Sequence, residues 1–203
     1  MGPPPPNAIS LLPNAPLLSA GPVSRAFKRA GCHSCQAAAL TLLYLPYGRN
    51  SDPTAPLAVL EEHRGTCSTK HALLKRLIDE QEVDGVELRT GIYAMTDANT
   101  PGIGPVLAQH GLESIPEAHC YLVVEGQRLD ITRQLPPGVE PITTFLAEEV
   151  ITPEQTTMYK REFHRRFLGE RIAADAYPGH TLDSLWAVRE QCIAALSGAE
   201  LAR

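Results

Sequence analysis

Two short runs of strand-forming residues, "HCYLVV" at 119–124 and "QRLDITR" at 127–133, are separated only by Glu125 and Gly126. A two-residue loop that ends in Gly joins antiparallel strands, because the tight turn needs positive φ. The register then follows. Val124 faces Gln127, Tyr121 faces Asp130 and His119 faces Thr132. Side chains alternate along a strand, so His119 and Asp130 emerge on one face as diagonal neighbours. Such neighbours lie roughly 7–8 Å apart at the backbone, within reach of an imidazole–carboxylate contact. The other face carries Cys120, Leu122, Val124, Leu129 and Ile131, all apolar and therefore expected against the core. Cys120 is expected there as a small buried hydrophobe.

Helical patterns flank this hairpin on both sides. "CHSCQAAALTLLYL" reads as a helix, "PYGRNSDPTAP" as a loop and "LAVLEEH" as a short helical turn. Ala72, Leu73, Leu74, Leu77 and Ile78 mark an amphipathic helix that begins near Cys67, with Thr66 or Ser68 as its cap and Gly85 beyond its end. "VELRTGIYAMT" reads as a strand, and residues 97–118 as a long connection rich in Gly and Pro. After "QLPPG" the chain turns helical, with Tyr159, Phe163 and Phe167 at four-residue steps and then Leu182, Leu185, Trp186, Ile193 and Leu196 on one side behind Thr181. Helices, then strands, then helices predict an α+β fold. The 203 residues are read as a proline-rich arm over 1–24, extended or disordered, and a single domain over 25–203. Trp186 is expected in the core.

The cysteines need separate accounts, since five in a chain of this length do not suggest a disulfide scaffold. Cys67 stands just after Gly65-Thr66, at the upstream edge of the helical stripe, where a helix leaves N–H groups unpaired and favours a thiolate. A histidine in reach can accept the thiol proton, and a carboxylate behind it fixes the tautomer. Cys67, His119 and Asp130 are expected to be those three parts. Gly65 allows close approach just before the nucleophile.

"RGTCSTKHALL" followed by "AHCYLVVEGQRLDIT" resembles the transglutaminase-like superfamily, a branch of the papain-like fold, and looks like a small member of bacterial type. The shared pattern is Gly-x-Cys at a helix start, a His opening a strand, and Asp-x-Thr ending the next. The likeness covers roughly residues 40–135, the expected catalytic core, and leaves a helical extension over 153–198 without a motif. It implies a nucleophile at the N-terminus of a central helix packed on an antiparallel sheet. It also implies a cysteine hydrolase or transamidase that forms a thioester acyl-enzyme from a peptide, protein or small amide. No cofactor or metal is implied. The family often has Trp two residues after the histidine, where this chain has Tyr121. Tyr47, Asn50 and Tyr121 are the candidates for oxyanion or substrate contacts, with the Cys67 backbone N–H as a further donor. The alternative is a module on the same fold that binds peptides or proteins without turnover.

Other features carry competing readings. His71, one helical turn after Cys67, is a rival base or a metal partner. Lys70 is read as a solvated charge that also stands near enough to lower the thiol pKa. Cys32 and Cys35 in "CHSC" lack the second ligand pair of a structural zinc site and read as the start of a helix. "TPGIGPV" lacks the Lys and Ser/Thr of a phosphate loop. Arg161, Arg165 and Arg166 sit among glutamates and make a mixed, solvated face. A net charge of −5 with no basic face argues against nucleic acid. No apolar run approaches the ~20 residues that span a bilayer, and the prolines that interrupt the first leucines do not read as a secretory signal. A cytoplasmic setting is expected.

Overall fold

The computed structural model describes residues 7–201, with side-chain surroundings for residues 8–196. In chain order the elements are α1 (Pro22–Arg29), α2 (Cys35–Tyr44), α3 (Ala58–Glu61), α4 (Cys67–Glu80), β1 (Val86–Met95) and α5 (Gly104–Gln109). They continue with β2 (Ile115–Val124), β3 (Gln127–Leu129), β4 (Ala147–Ile151), α6 (Met158–Ala173) and α7 (Leu182–Leu201). The strands form an antiparallel sheet in the order β3-β2-β1-β4, so the fold is α+β. Among the described residues, no helix is long and apolar enough to cross a membrane.

The hairpin has the expected register, with Val124 opposite Gln127 and Leu122 opposite Leu129. Glu125 and Gly126 both take positive φ, 48° and 77°, which is the backbone of the tight primed turn. Pairing stops at Leu129, one residue short of Asp130. The reason lies in the side chains described below, which take over the backbone groups of residues 131 and 132 that a longer ladder would use.

Contacts divide the chain into two compact units. The first comprises residues up to 90 together with 119–134 and 149–157. Its central helix is α4, which buries Leu73, Leu74, Leu77 and Ile78. Thr66 caps α4 in a reciprocal pair. Its hydroxyl accepts from the Thr69 N–H, and the Thr69 hydroxyl accepts from the Thr66 N–H at 3.0 Å.

The expected disordered arm is corrected where it is described. Residues 7–11 form a 3-10 helix, and Ile9, Leu12 and Leu17 are buried. Prolines prevent regular hydrogen bonding here without preventing burial, and glutamine side chains supply the missing partners. The Gln81 carbonyl accepts from the N–H groups of Leu18 and Ser19, and the Gln36 amide donates to the carbonyl of Leu12. The Glu80 carboxylate accepts from the N–H groups of Val23 and Ser24 at the start of α1, where the helix dipole favours negative charge. Residues 1–6 of the expected arm lie outside the described residues.

The second unit comprises 91–118, 135–148 and 158 onward. Leu168 of α6 and Leu185, Val188, Cys192 and Ile193 of α7 pack with Met95, Leu107 and Ile115. Phe163 packs with Ile92 and Ala118. Trp186 is only half-buried, and the guanidinium groups of Arg161, Arg165 and Arg189 lie 5.2–5.6 Å from its ring centre. Arg161 is exposed and Arg165 half-buried, so this solvated face also lies against an aromatic ring. Two elements differ from the sequence expectation. The long connection contains α5, and residues 147–151 form β4. "AEEVI" has neither alternation nor a fully apolar run, and it becomes a strand by pairing with β1 at the sheet edge.

Candidate active site

Every residue of the candidate site belongs to the first unit. Cys67 is the first residue of α4 and Thr66 is its cap, so the thiol stands where the helix presents its positive end. Gly65 is required there for a steric reason. A Cβ on it would lie 2.9 Å from Lys70 Cγ, 3.0 Å from Thr69 Oγ1 and 3.1 Å from Val59 Cγ2. The Gly65 N–H donates to the Pro46 carbonyl and its own carbonyl accepts from the Gly48 N–H, which sets the chain flat against Tyr47.

His119 comes from β2 and Asp130 from the residue just past β3. Their diagonal placement is realised as a short contact, with His119 Nε2 donating to Asp130 Oδ2 at 2.6 Å. The second Asp130 oxygen accepts from the Thr132 N–H at 2.9 Å. The Cys67 thiol is the other hydrogen-bonding partner of the His119 ring. With Nε2 committed to Asp130, Nδ1 is the nitrogen left to face sulfur. Cys67 and His119 are each 7% exposed, whereas 36% of the Asp130 side chain stays open to solvent.

Electrostatics follow from this packing. Burial pushes His119 toward its neutral form, but the charges of Asp130 and then Cys67, with hydrogen bonds to both, overcome it and hold its pKa up at about 10. Burial raises the Asp130 pKa, and the His119 charge and hydrogen bond outweigh it, so Asp130 stays well below the usual carboxylate range. This favours a thiolate–imidazolium pair steadied by a carboxylate.

No family model, curated protein or solved structure matches this chain.

The remaining candidates, Asn50, Tyr121 and Tyr47, belong to the same unit as the site. Asn50 is buried, and its amide holds the loop together: Nδ2 donates to the Arg64 carbonyl at 3.0 Å and Oδ1 accepts from Thr69 Oγ1 at 2.8 Å. One Nδ2 hydrogen and the carbonyl oxygen are thereby engaged within the loop. Tyr121 is fully buried and stacks beside His119, with ring centres 6.4 Å apart and planes 17° apart. Arg128 covers it, 4.7 Å from the ring centre. Residues two apart on a strand share a face, so Tyr121 supports the imidazole and does not offer a substrate contact. Tyr47 is half-buried beside Gly65.

Lys70 is corrected outright. It is fully buried, and its Nζ donates to the carbonyls of Leu45 at 2.6 Å and Thr132 at 2.7 Å. His71 is also fully buried, and backbone groups occupy both of its ring nitrogens. Nδ1 meets the Cys67 carbonyl at 2.7 Å, and Nε2 meets the Ile131 N–H at 2.9 Å. A rival base or metal ligand needs a free ring nitrogen, so neither reading fits. The signal for both residues was their spacing from Cys67, three and four positions on, which places them on its side of α4.

None of the five cysteines is joined in a disulfide, and all five are buried. Cys120 Sγ lies 3.7 Å from Ser68 Oγ. Cys35 opens α2 behind the Ser34 cap, and burial raises its thiol pKa, while Cys32 Sγ lies 3.2 Å from Thr41 Oγ1. Among the described residues, no three His, Cys, Asp or Glu side chains gather as a metal site.

Proposed function

We propose that this chain is a cysteine-dependent enzyme acting at an acyl carbon, an amide hydrolase or acyl transferase, with Cys67 as nucleophile, His119 as general base and acid, and Asp130 as the group that orients His119. The observation that carries the reading is the linear couple itself: Asp130 on one nitrogen of His119 at 2.6 Å, and the thiol of a helix-opening Cys67 as its other partner. A structural cysteine needs neither partner.

In the proposed reaction the thiol proton passes to His119 Nδ1, and sulfur attacks the substrate carbonyl carbon. The Cys67 backbone N–H at the helix start is the proposed donor to the developing oxyanion, with Tyr47 as the side-chain candidate. As the C–N bond breaks, His119 returns the proton to the leaving nitrogen, and a thioester remains on Cys67. Water then attacks the thioester, His119 takes a proton from it, and the acid and the free thiol are released. An amine in place of water gives a new amide by the same proton path.

We further propose that this is a transglutaminase-like variation of the papain-like fold, acting on a peptide, protein or small amide. We also retain the cytoplasmic setting as part of this proposal. Incubation with p-nitrophenyl acetate tests the chemistry. An acetyl adduct on Cys67, absent from Cys67→Ala, is expected by intact mass and peptide mapping. A wild-type chain that forms no adduct, yet binds a peptide as well as Cys67→Ala does, would overturn the enzyme and leave a binding module.

A further inference from the structure

We propose that His71 is a positioning residue for the Cys67–His119–Asp130 site, acting as a neutral Nδ1–H ring that ties the first turn of α4 to the turn carrying Asp130. The inference rests on the reading of the site given above, but its evidence is separate. A carbonyl can only accept and a peptide N–H can only donate. Against the Cys67 carbonyl, Nδ1 must therefore carry the proton, and against the Ile131 N–H, Nε2 must be bare. One tautomer satisfies both, and it is uncharged.

The consequence is a direct link between the two ends of the couple. Cys67 contributes its sulfur to His119 and its carbonyl to His71. Asp130 receives His119, and the peptide N–H of the next residue, Ile131, goes to His71. Lys70, adjacent to His71 on α4, holds the other side of the same turn through the Thr132 carbonyl at 2.7 Å. Thr132 in turn donates its N–H to Asp130 Oδ1. Residues 70 and 71 therefore grip residues 131 and 132, and this grip ends the β3 ladder and aims Asp130 at His119.

The charges facing His71 make its neutrality matter. Asp130 Oδ1 lies 3.7 Å from Nε2, the His119 ring centre is 6.4 Å away, and the Cys67 thiol and the Lys70 ammonium belong to its own helix. A proton on Nε2 would point at the Ile131 N–H 2.9 Å away and expel it. The nearest acceptor for that proton is Asp130, which would be drawn from His119 toward His71. Burial opposes this protonation and lowers the His71 pKa against the pull of Asp130.

Two amide variants separate positioning from mere filling of space. In His71→Gln the side-chain oxygen reaches the place of Nε2 and accepts from Ile131. In His71→Asn the amide reaches only the place of Nδ1, and Ile131 loses its acceptor. The readout is NMR of the imidazole nitrogens and ring N–H protons in the full chain, with an unfolding transition to confirm that each variant folds. Wild type is expected to show His71 as the Nδ1–H tautomer between about pH 5.5 and 8. The strongly deshielded His119 Nε2–H proton should persist in His71→Gln and vanish in His71→Asn. The alkaline titration midpoint of His119 should then fall by about one pH unit in His71→Asn alone. An Nε2–H tautomer, a His71 that titrates like a free imidazole, or a His119 signal kept or lost equally in both folded variants overturns the proposal. None of these readouts needs turnover, so failure to form an acyl-enzyme would remove the enzymatic reading and leave this result standing on its own.

Discussion

Replacing Asp130 by Asn removes one charge while keeping shape, and the two hydrogen bonds at this carboxylate make the outcome calculable. Asp130 accepts twice, from His119 Nε2 at 2.6 Å and from the Thr132 N–H at 2.9 Å. An amide has one oxygen. If it faces Thr132, its N–H₂ meets the His119 Nε2–H. If it faces His119, its N–H₂ meets the Thr132 N–H. Either way one donor loses its acceptor, and the imidazolium loses its counter-charge. A hydrogen bond to a charged group contributes about 1.5–3 kcal/mol. Because 36% of the Asp130 side chain is open to solvent, screening brings this to about 1–2 kcal/mol. At 1.36 kcal/mol per pH unit, the His119 midpoint should fall from about 10 by roughly one unit. The assay is the chemical shift of the His119 ring protons followed from acid to alkaline pH. A midpoint unmoved in a variant that remains folded would show that Asp130 does not hold the charge on His119, and the couple would lose its basis.

Three further outcomes follow from the same contacts. Gly65→Ala places a Cβ against Lys70, Thr69 and Val59 at 2.9–3.1 Å, an overpacking worth about 1–3 kcal/mol, and thermal unfolding should fall by roughly 2–4 °C for each of these. An unchanged midpoint would mean that the loop has room to shift. Lys70→Met keeps the volume but leaves the carbonyls of Leu45 and Thr132 without this donor, about 1–3 kcal/mol each, and should lower the urea midpoint without altering the slope. A midpoint equal to wild type would contradict the buried clasp. Stability should also depend on pH on both sides of neutrality. His119 binds its proton more tightly folded than unfolded, so its contribution is complete below about pH 6.5 and is lost as pH rises toward about 10. Asp130 is lowered, so its contribution is present above the ordinary carboxylate value of 3.8 and is lost as pH falls below it. His71 is also lowered, so stability declines below about pH 6.5 as the unfolded chain takes up the proton that the native ring refuses. Urea midpoints should peak near neutral pH, and His119→Gln should flatten the alkaline slope. A wild-type midpoint that stays level from pH 7 to 9.5 would refute the assignment.

Lys70 and His71 show where local reading stops. Their distance from Cys67 along α4 is legible, and it puts them on the same side of the helix. Whether that side faces water or the turn after β3 depends on residues some sixty positions later, and no window along the chain contains both. Lys70 therefore reads as a solvated charge, although it is 0% exposed. The contacts of Asn50 with Arg64 and Thr69, and of Tyr121 with His119 and Arg128, are likewise invisible in the sequence, because they depend on which partner the packing brings to each side chain.

What the amino-acid order determined by itself was periodic and local. It determined the antiparallel register around Glu125-Gly126, the start of α4 at a capped Cys67, and the common face of His119 and Asp130, because turn geometry and side-chain alternation act over a few residues. The end of β3, the burial of Lys70, the tautomer of His71, strand β4 and the division into two units were decided by tertiary structure alone. Each depends on a backbone group finding its partner far along the chain, and a buried peptide N–H or carbonyl takes whichever partner the packing brings to it.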